Sequence, residues 1–396
     1  MKRSPLRIFA AACIVVAGIC LIVTIYLFCL DDKSVSQGDF ICYWVAESQF
    51  LHSANPYDPA VMLRQERALG LDRDQPIMLY SPPVALLLAA PFGVLSAKNS
   101  LILWMLAMLG CLTASIGLLG LLFGRPVDRL YLLGCIFPPA LACLSVGQIG
   151  IFLLLGLVLF LYLHHSRPWL AGAALLPCAM KPHLFLPLAI VLLLWVVTRK
   201  AYRILAGFAL ALAAACALPL AINPHIWSQY SRMMHDGLAL NIYAPTLCST
   251  FRLLVDRQAP WTQFLLEAAA CCWAPWYFWS RRDCWRWMDQ GMLLLLVSAL
   301  CSPFGWITDE AILLPAVLAG LYRAAESRRS FLPLWLIAGA ALIEVMAGTQ
   351  ITTPYYVWTT PAWLIWYLYA TGKIGARSGQ AHSDAAIRAK PQFPCP

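Results

Sequence analysis

The chain alternates long apolar runs with short polar joints, and the joints carry most of its charge. The first run, residues 8–30, is 23 residues long. As a helix it can cross a hydrocarbon core of about 30 Å, and it exceeds the apolar stretch of about 7–15 residues in a cleaved leader. Further runs fall at 101–123, 130–146, 149–164, 168–180, 183–198, 203–222, 262–280, 288–302, 310–324, 331–348 and 355–371. Together they predict an all-α fold, a polytopic transmembrane bundle of about twelve spans. Runs such as 149–164 and 168–180 are shorter than the roughly 20 residues of a full span. They point to broken or tilted helices around a protein-lined cavity, where irregular backbone is tolerated.

Between residues 31 and 79 the pattern changes to eight acids against four bases. Phe40, Tyr43, Trp44, Glu47 and Leu51 follow a helical stagger, and a second short helix is expected over 59–69, after the turn Asn55-Pro56-Tyr57-Asp58. The first outer loop, 31–100, is therefore read as carrying short juxtamembrane helices. Its last part, 80–97, is apolar but bracketed by Pro82, Pro83 and Pro91.

Composition agrees with the pattern. Hydrophobic residues make up 61% and charged residues 12%, with a mean hydropathy of +0.71, where a soluble domain has about 45–50% and 25%. No polar stretch is long enough for a separate soluble core, so residues 1–371 are expected to form one membrane domain. Residues 372–396 read as a polar, disordered cytoplasmic tail. The net charge of +9 is a topology signal here and does not imply nucleic acid. If 80–97 stays on one side, nineteen of the 28 lysines and arginines fall on the cytoplasmic side; if it crossed, every later basic cluster would face outward. Both termini are then cytoplasmic and 80–97 is juxtamembrane or re-entrant.

Most of the fifteen cysteines lie in apolar runs without metal-ligand spacing, and only Cys42 and Cys248 are expected on the outer face, with nothing in the sequence to fix a bridge between them. There is no P-loop, no HExxH and no dinucleotide fingerprint. No cofactor and no metal are implied, although Asp39 with Asp309 could in principle bind one.

With this topology the outer ends of the spans collect Asp39, Gln148, Lys181, His183, Asn241, Arg252 and the pair Asp309-Glu310. Ionisable residues at membrane depth are costly and mark function by default. Several also have a structural alternative: Asp39 can be a solvated loop residue, Lys181 can snorkel to the interface, Gln148 can bond between helices, Arg252 can meet lipid headgroups, and Asp309 and Glu310 can complement a helix N-terminus.

Asp39-Phe40 with Tyr43-Trp44 and Ala46, then Asn55-Pro56-Tyr57, Tyr80-Ser81-Pro82-Pro83, Pro91, Gly147-Gln148, Lys181-Pro182, and Ser302-Pro303 with Trp306 and Asp309, occur in an order that resembles glycosyltransferase family 87 over roughly residues 5–370. Gly150 stands where that family often has Asn, and Trp306-Ile307-Thr308-Asp309 where some members have a His-bearing motif; these departures bear on acceptor and sugar more than on fold. The resemblance implies a C-type membrane glycosyltransferase in a bacterial inner membrane, with its active site on the outer face. It implies transfer of a hexose, by family habit mannose, from a polyprenyl-phosphate donor to a lipid or glycan acceptor, with inversion. Asp39 would then be the catalytic base. Lys181, Arg252 and His183 would meet the donor phosphate, and Tyr43, Trp44, Tyr80, Gln148, Asn241, Trp306 and Asp309 would line the sugar and acceptor site. The competing readings are a transporter or flippase of a lipid-linked sugar, and a surface-polysaccharide polymerase or ligase.

Overall fold

A computed structural model describes residues 34–124, 129–236, 243–347 and 354–374. The expected first span at 8–30, Asn241 and the tail from 375 lie outside the described residues. Among the described residues every regular element is helical.

The outer loop folds as expected into short helices, α1 (Phe40–Leu51), α2 (Pro59–Ala68) and α3 (Val84–Gly93). After them come α4 (Ala97–Leu122), α5 (Pro138–Val146), α6 (Gly150–Leu163), α7 (Pro168–Ala173), α8 (Leu186–Thr198) and α9 (Tyr202–Ile222). The second half contains α10 (Ile226–His235), α11 (Leu247–Val255), α12 (Leu265–Trp279), α13 (Met292–Leu300), α14 (Leu314–Glu326), α15 (Leu332–Met346) and α16 (Thr359–Ala370).

Among the described residues only α4 and α9 are, by length and composition, single helices able to cross a membrane, and two such helices do not establish a bundle of twelve spans; the other apolar helices described are shorter. Proline is one reason. Pro138 and Pro139 start α5 after the 3-10 stretch Arg129–Ile136, and Pro177 and Pro182 sit in the 3-10 turns Leu176–Met180 and Pro182–Leu184. Lacking an N–H, proline is accommodated in the first turn of a helix and disrupts its interior. The expected runs 130–146 and 168–180 are therefore each divided. α3, ten residues long, measures about 15 Å, half of a hydrocarbon core of about 30 Å.

Local chemistry sets the ends of α1 and α2 differently. Asp58 caps α2 in the ordinary way, its Oδ1 accepting from the amides of Ala60 at 2.9 Å and Val61 at 3.2 Å, with Pro59 at the first helical position. Asp39 holds the same place before α1, yet its side chain makes no cap. Its carboxylate is turned elsewhere.

α1 packs against α3, and α4 against α6. Trp104 of α4 is fully buried. Its ring stacks on Tyr43 at 5.5 Å between centroids and meets Phe152 edge-on at 5.1 Å. Its indole N–H donates to the carbonyl of Gly147 at 2.9 Å. This hub ties the outer loop to the turn between α5 and α6.

Burial also captures two acids of the outer loop. Glu47 is fully buried against Gly93, with no hydrogen-bond partner for either carboxylate oxygen among the described residues, and desolvation lifts it to about 8. Glu66 is raised to about 7 for the same reason, partly offset by the Ile77 amide. For Glu47 the unfolded value is about 4.3. Below that both states hold the proton, so nothing is lost. As pH rises toward about 8 only the unfolded chain releases it, and stability falls. Glu47→Gln is isosteric and neutral throughout. It should therefore melt at a higher temperature than the wild type at pH 9, with the gap closing at pH 4–5; thermal unfolding in detergent at the two pH values checks this.

Candidate active site

Three segments far apart in sequence meet at the start of α1: the 37–39 turn, the α5–α6 turn and the stretch 302–309. They fit because glycines let backbones touch. A Cβ on Gly38 would lie 2.5 Å from the carbonyl oxygen of Val146, and one on Gly150 would lie 2.4 Å from that of Thr308. Gly147, at φ +74°, ends α5 in the left-handed region that favours glycine, with Phe40 against it.

Seated in this way, Asp39 accepts a hydrogen bond on Oδ2 from Nε2 of Gln148 at 2.7 Å. Gln148 is itself fixed: its Oε1 accepts from the Tyr43 hydroxyl and from the Ile149 amide at 3.0 Å. Only one orientation of the amide satisfies all three partners. Asp39 is half-buried. Desolvation pushes its carboxyl above the usual 3.8, opposed by the charge of Lys181 and by the Gln148 hydrogen bond and reinforced by the charge of Asp309.

Lys181 and Asp309 form the second half of the cluster. Lys181 follows the Leu176–Met180 turn, and its Nζ donates to Oδ1 of Asp309 at 2.6 Å, both side chains being almost wholly buried. Oδ2 of Asp309 accepts from the Trp306 amide at 3.1 Å, and the ammonium lies 5.7 Å from the centre of the Trp306 ring. His183 packs edge-on against Phe304 at 6.0 Å, and its buried Nε2 has no partner among the described residues. It feels the charges of both Asp309 and Lys181.

The remaining sequence candidates are placed differently. Trp44 donates to the Leu95 carbonyl at 3.1 Å and so ties α1 to the end of α3. Tyr80 offers its carbonyl to the Tyr230 hydroxyl at 3.4 Å. Arg252 donates to the Arg257 carbonyl and to Gln263 at 3.1 Å, and Gln263 in turn reaches the Pro303 carbonyl at 2.6 Å. Arg252 thereby braces the 302–309 stretch from behind. Glu310 turns away from its neighbour Asp309 and accepts from Thr359, Thr360 and the Trp363 indole, which fastens this stretch to α16. Cys42 and Cys248 are buried free thiols. Sequence reasoning missed Trp104, which as one aromatic in a long apolar run carries no signal of its own.

A cavity of about 450 Å³, lined almost wholly by apolar side chains, has Pro182 in its wall. Leu157 of α6, Cys178, Pro182, Phe185, Leu192 of α8 and Phe208 of α9 are among its walls. Pro182 is the residue after Lys181, so the wall of the apolar space and the residue that carries the ammonium adjoin along the chain.

An apolar helical bundle that holds one half-buried carboxylate and a buried carboxylate–ammonium pair, and that also encloses an apolar cavity, has the makings of a membrane enzyme acting on an amphiphile. The family model for Glycosyltransferase family 87 matches residues 79–303, more than half of the chain, and the chain belongs to that family. It is thus a membrane glycosyltransferase. Tyr80, Gln148, Lys181, His183 and Arg252 fall inside the matched stretch. Asp39 and Asp309 lie outside it and are joined to it by the hydrogen bonds to Gln148 and Lys181. No curated protein and no solved structure matches the chain.

Proposed function

We propose that the protein is an inverting hexosyltransferase that moves a sugar, with mannose as the family's habit, from a polyprenyl-phosphate donor to a hydroxyl of a lipid or glycan acceptor. The reaction takes place on the outer face of a twelve-span bundle with both termini in the cytoplasm. The observation that carries this reading is the diverted Asp39: an aspartate at a helix N-cap that forgoes the cap and is held by Gln148 instead.

In this mechanism the acceptor oxygen attacks the anomeric carbon while Asp39 takes its proton. The bond from that carbon to the phosphate oxygen breaks, and the lipid phosphate leaves with the electron pair. A carboxylate lifted above 3.8 by desolvation is a better base than an exposed aspartate, and such assistance is worth about 10²–10⁴ in rate. Lys181, with His183 beside it, meets the charge that grows on the departing phosphate. The apolar cavity with Pro182 in its wall suits the first isoprenes of the donor chain. Tyr43 and Gln148, which hold Asp39, and Trp306, which lies beside Lys181, are assigned to sugar and acceptor in this reading, together with Tyr80.

The test is to incubate membranes containing the protein with a panel of labelled polyprenyl-phosphate sugars and, separately, nucleotide sugars. Transfer to a lipid or glycan from a lipid-phosphate donor is expected and none from nucleotide sugars. Failure of every lipid donor, with the protein folded, would sink the reading and favour a flippase for lipid-linked sugars, which the same cavity could serve.

A further inference from the structure

The charges at this site do not balance for the substrate proposed above. Asp39 and Asp309 bring two carboxylates, and Lys181 is the one ammonium bonded to either of them among the described residues. A phosphodiester adds another negative charge. Arg73 also acts on Asp39, but only through space; against the single bonded cation among the described residues, three anions at contact distance repel strongly.

One carboxylate must give way, and the two are held unequally. Asp39 is fixed by Gln148, which is locked in turn by Tyr43 and the Ile149 amide. Asp309 is held by the amide of Trp306, three residues before it, and by the ammonium that the phosphate needs.

We propose that Asp309 is a place-holder for the donor phosphate: its carboxylate occupies Lys181 in the empty enzyme, and the arriving phosphate takes over the ammonium and displaces it. This rests on the lipid-phosphate reading of the site and adds a regulation to it. The partner exchange does two things. It keeps Lys181 from being a buried, unpaired charge between turnovers, a costly state. It also ties the strength of the base to the presence of the donor: Lys181 keeps a paired anion throughout, and the phosphate adds a negative charge to a cluster in which that of Asp309 already favours the protonated form of Asp39. Asp309 is in this account a positioning residue, acting through Lys181.

The experiment compares purified wild type, Asp309→Asn and the double variant Lys181→Gln/Asp309→Asn for binding of a polyprenyl phosphate and of the matching polyprenol. Loss of a competing negative charge at contact distance predicts that Asp309→Asn binds the phosphate at least about tenfold more tightly than wild type, with the polyprenol unaffected. The double variant, which removes both charges of the pair together, should bind phosphate no better than polyprenol. A merely structural role for Asp309 would weaken binding or leave it unchanged. If wild type prefers the phosphate, the double variant does not, and Asp309→Asn is no tighter than wild type, the place-holder is overturned while the donor reading stands. If wild type and Asp309→Asn show no preference for phosphate over polyprenol, the donor reading itself fails. Should Asp309→Asn not fold, as judged by size exclusion and thermal unfolding, Asp309→Ser removes the same charge and carries the same expectation.

Discussion

Asp39→Asn should lower turnover by roughly 10²–10⁴ while the protein keeps its fold and binds the donor at least as tightly. The substitution is nearly isosteric, and the side-chain oxygen of Asn can still accept from Gln148 Nε2, so the α1 start and the Gln148 network should survive. What is lost is the ability to take a proton. Turnover measured with a labelled lipid-phosphate sugar, beside donor binding, separates loss of chemistry from loss of structure; wild-type turnover would exclude Asp39 as the base. The wild-type pH profile carries the same information. The base works deprotonated, so activity should fall as pH drops through its pKa, and desolvation places that limb above the usual 3.8. Gln148→Leu removes a hydrogen bond that favours the charged form. The acid limb should therefore move to higher pH in that variant. A limb that stays in place or moves down would mean that another group sets it.

Gly38→Ala is expected to cost about 1–3 kcal/mol of stability and most of the activity, although it adds a single methyl group. The added carbon would sit 2.5 Å from the Val146 carbonyl oxygen and 2.9 Å from both its carbonyl carbon and its Cα. These are backbone atoms of the α5–α6 turn, which cannot rotate away as a side chain can. The turn must shift, and it carries Gln148. The 2.7 Å contact to Asp39 lengthens with it, and a misplacement of about 1 Å can cost 10²-fold in rate. Gly110→Ala is the control, because a Cβ there meets nothing within 4 Å. Thermal unfolding and turnover of the two variants should diverge; equal behaviour would show that the close approach at Gly38 has no bearing on the site.

Much of this was legible in the chain. The apolar runs gave a helical membrane protein, and the helical stagger from Phe40 to Leu51 and the Asp58-Pro59 signal gave α1 and α2 close to their observed bounds. Asp39, Gln148, Lys181 and Asp309 stood out because polar groups in such a chain are few and costly. Other features could not be read. Glu47 looked like one more acid of a polar loop, and its burial depends on Gly93 of a different helix. The contacts of Arg252 with a carbonyl five residues on and with a glutamine of the next turn are likewise tertiary facts.

The sequence alone determined the class of protein, the short helices of the outer loop and the residue types available for chemistry, because hydropathy, helical period and capping act over a few residues and are written locally. The tertiary structure decided which of those residues meet. Asp39 and Gln148 are 109 positions apart and Lys181 and Asp309 are 128. Their pairing depends on backbones pressed together at Gly38, Gly147 and Gly150, and no periodicity records which two surfaces a missing side chain allows to touch.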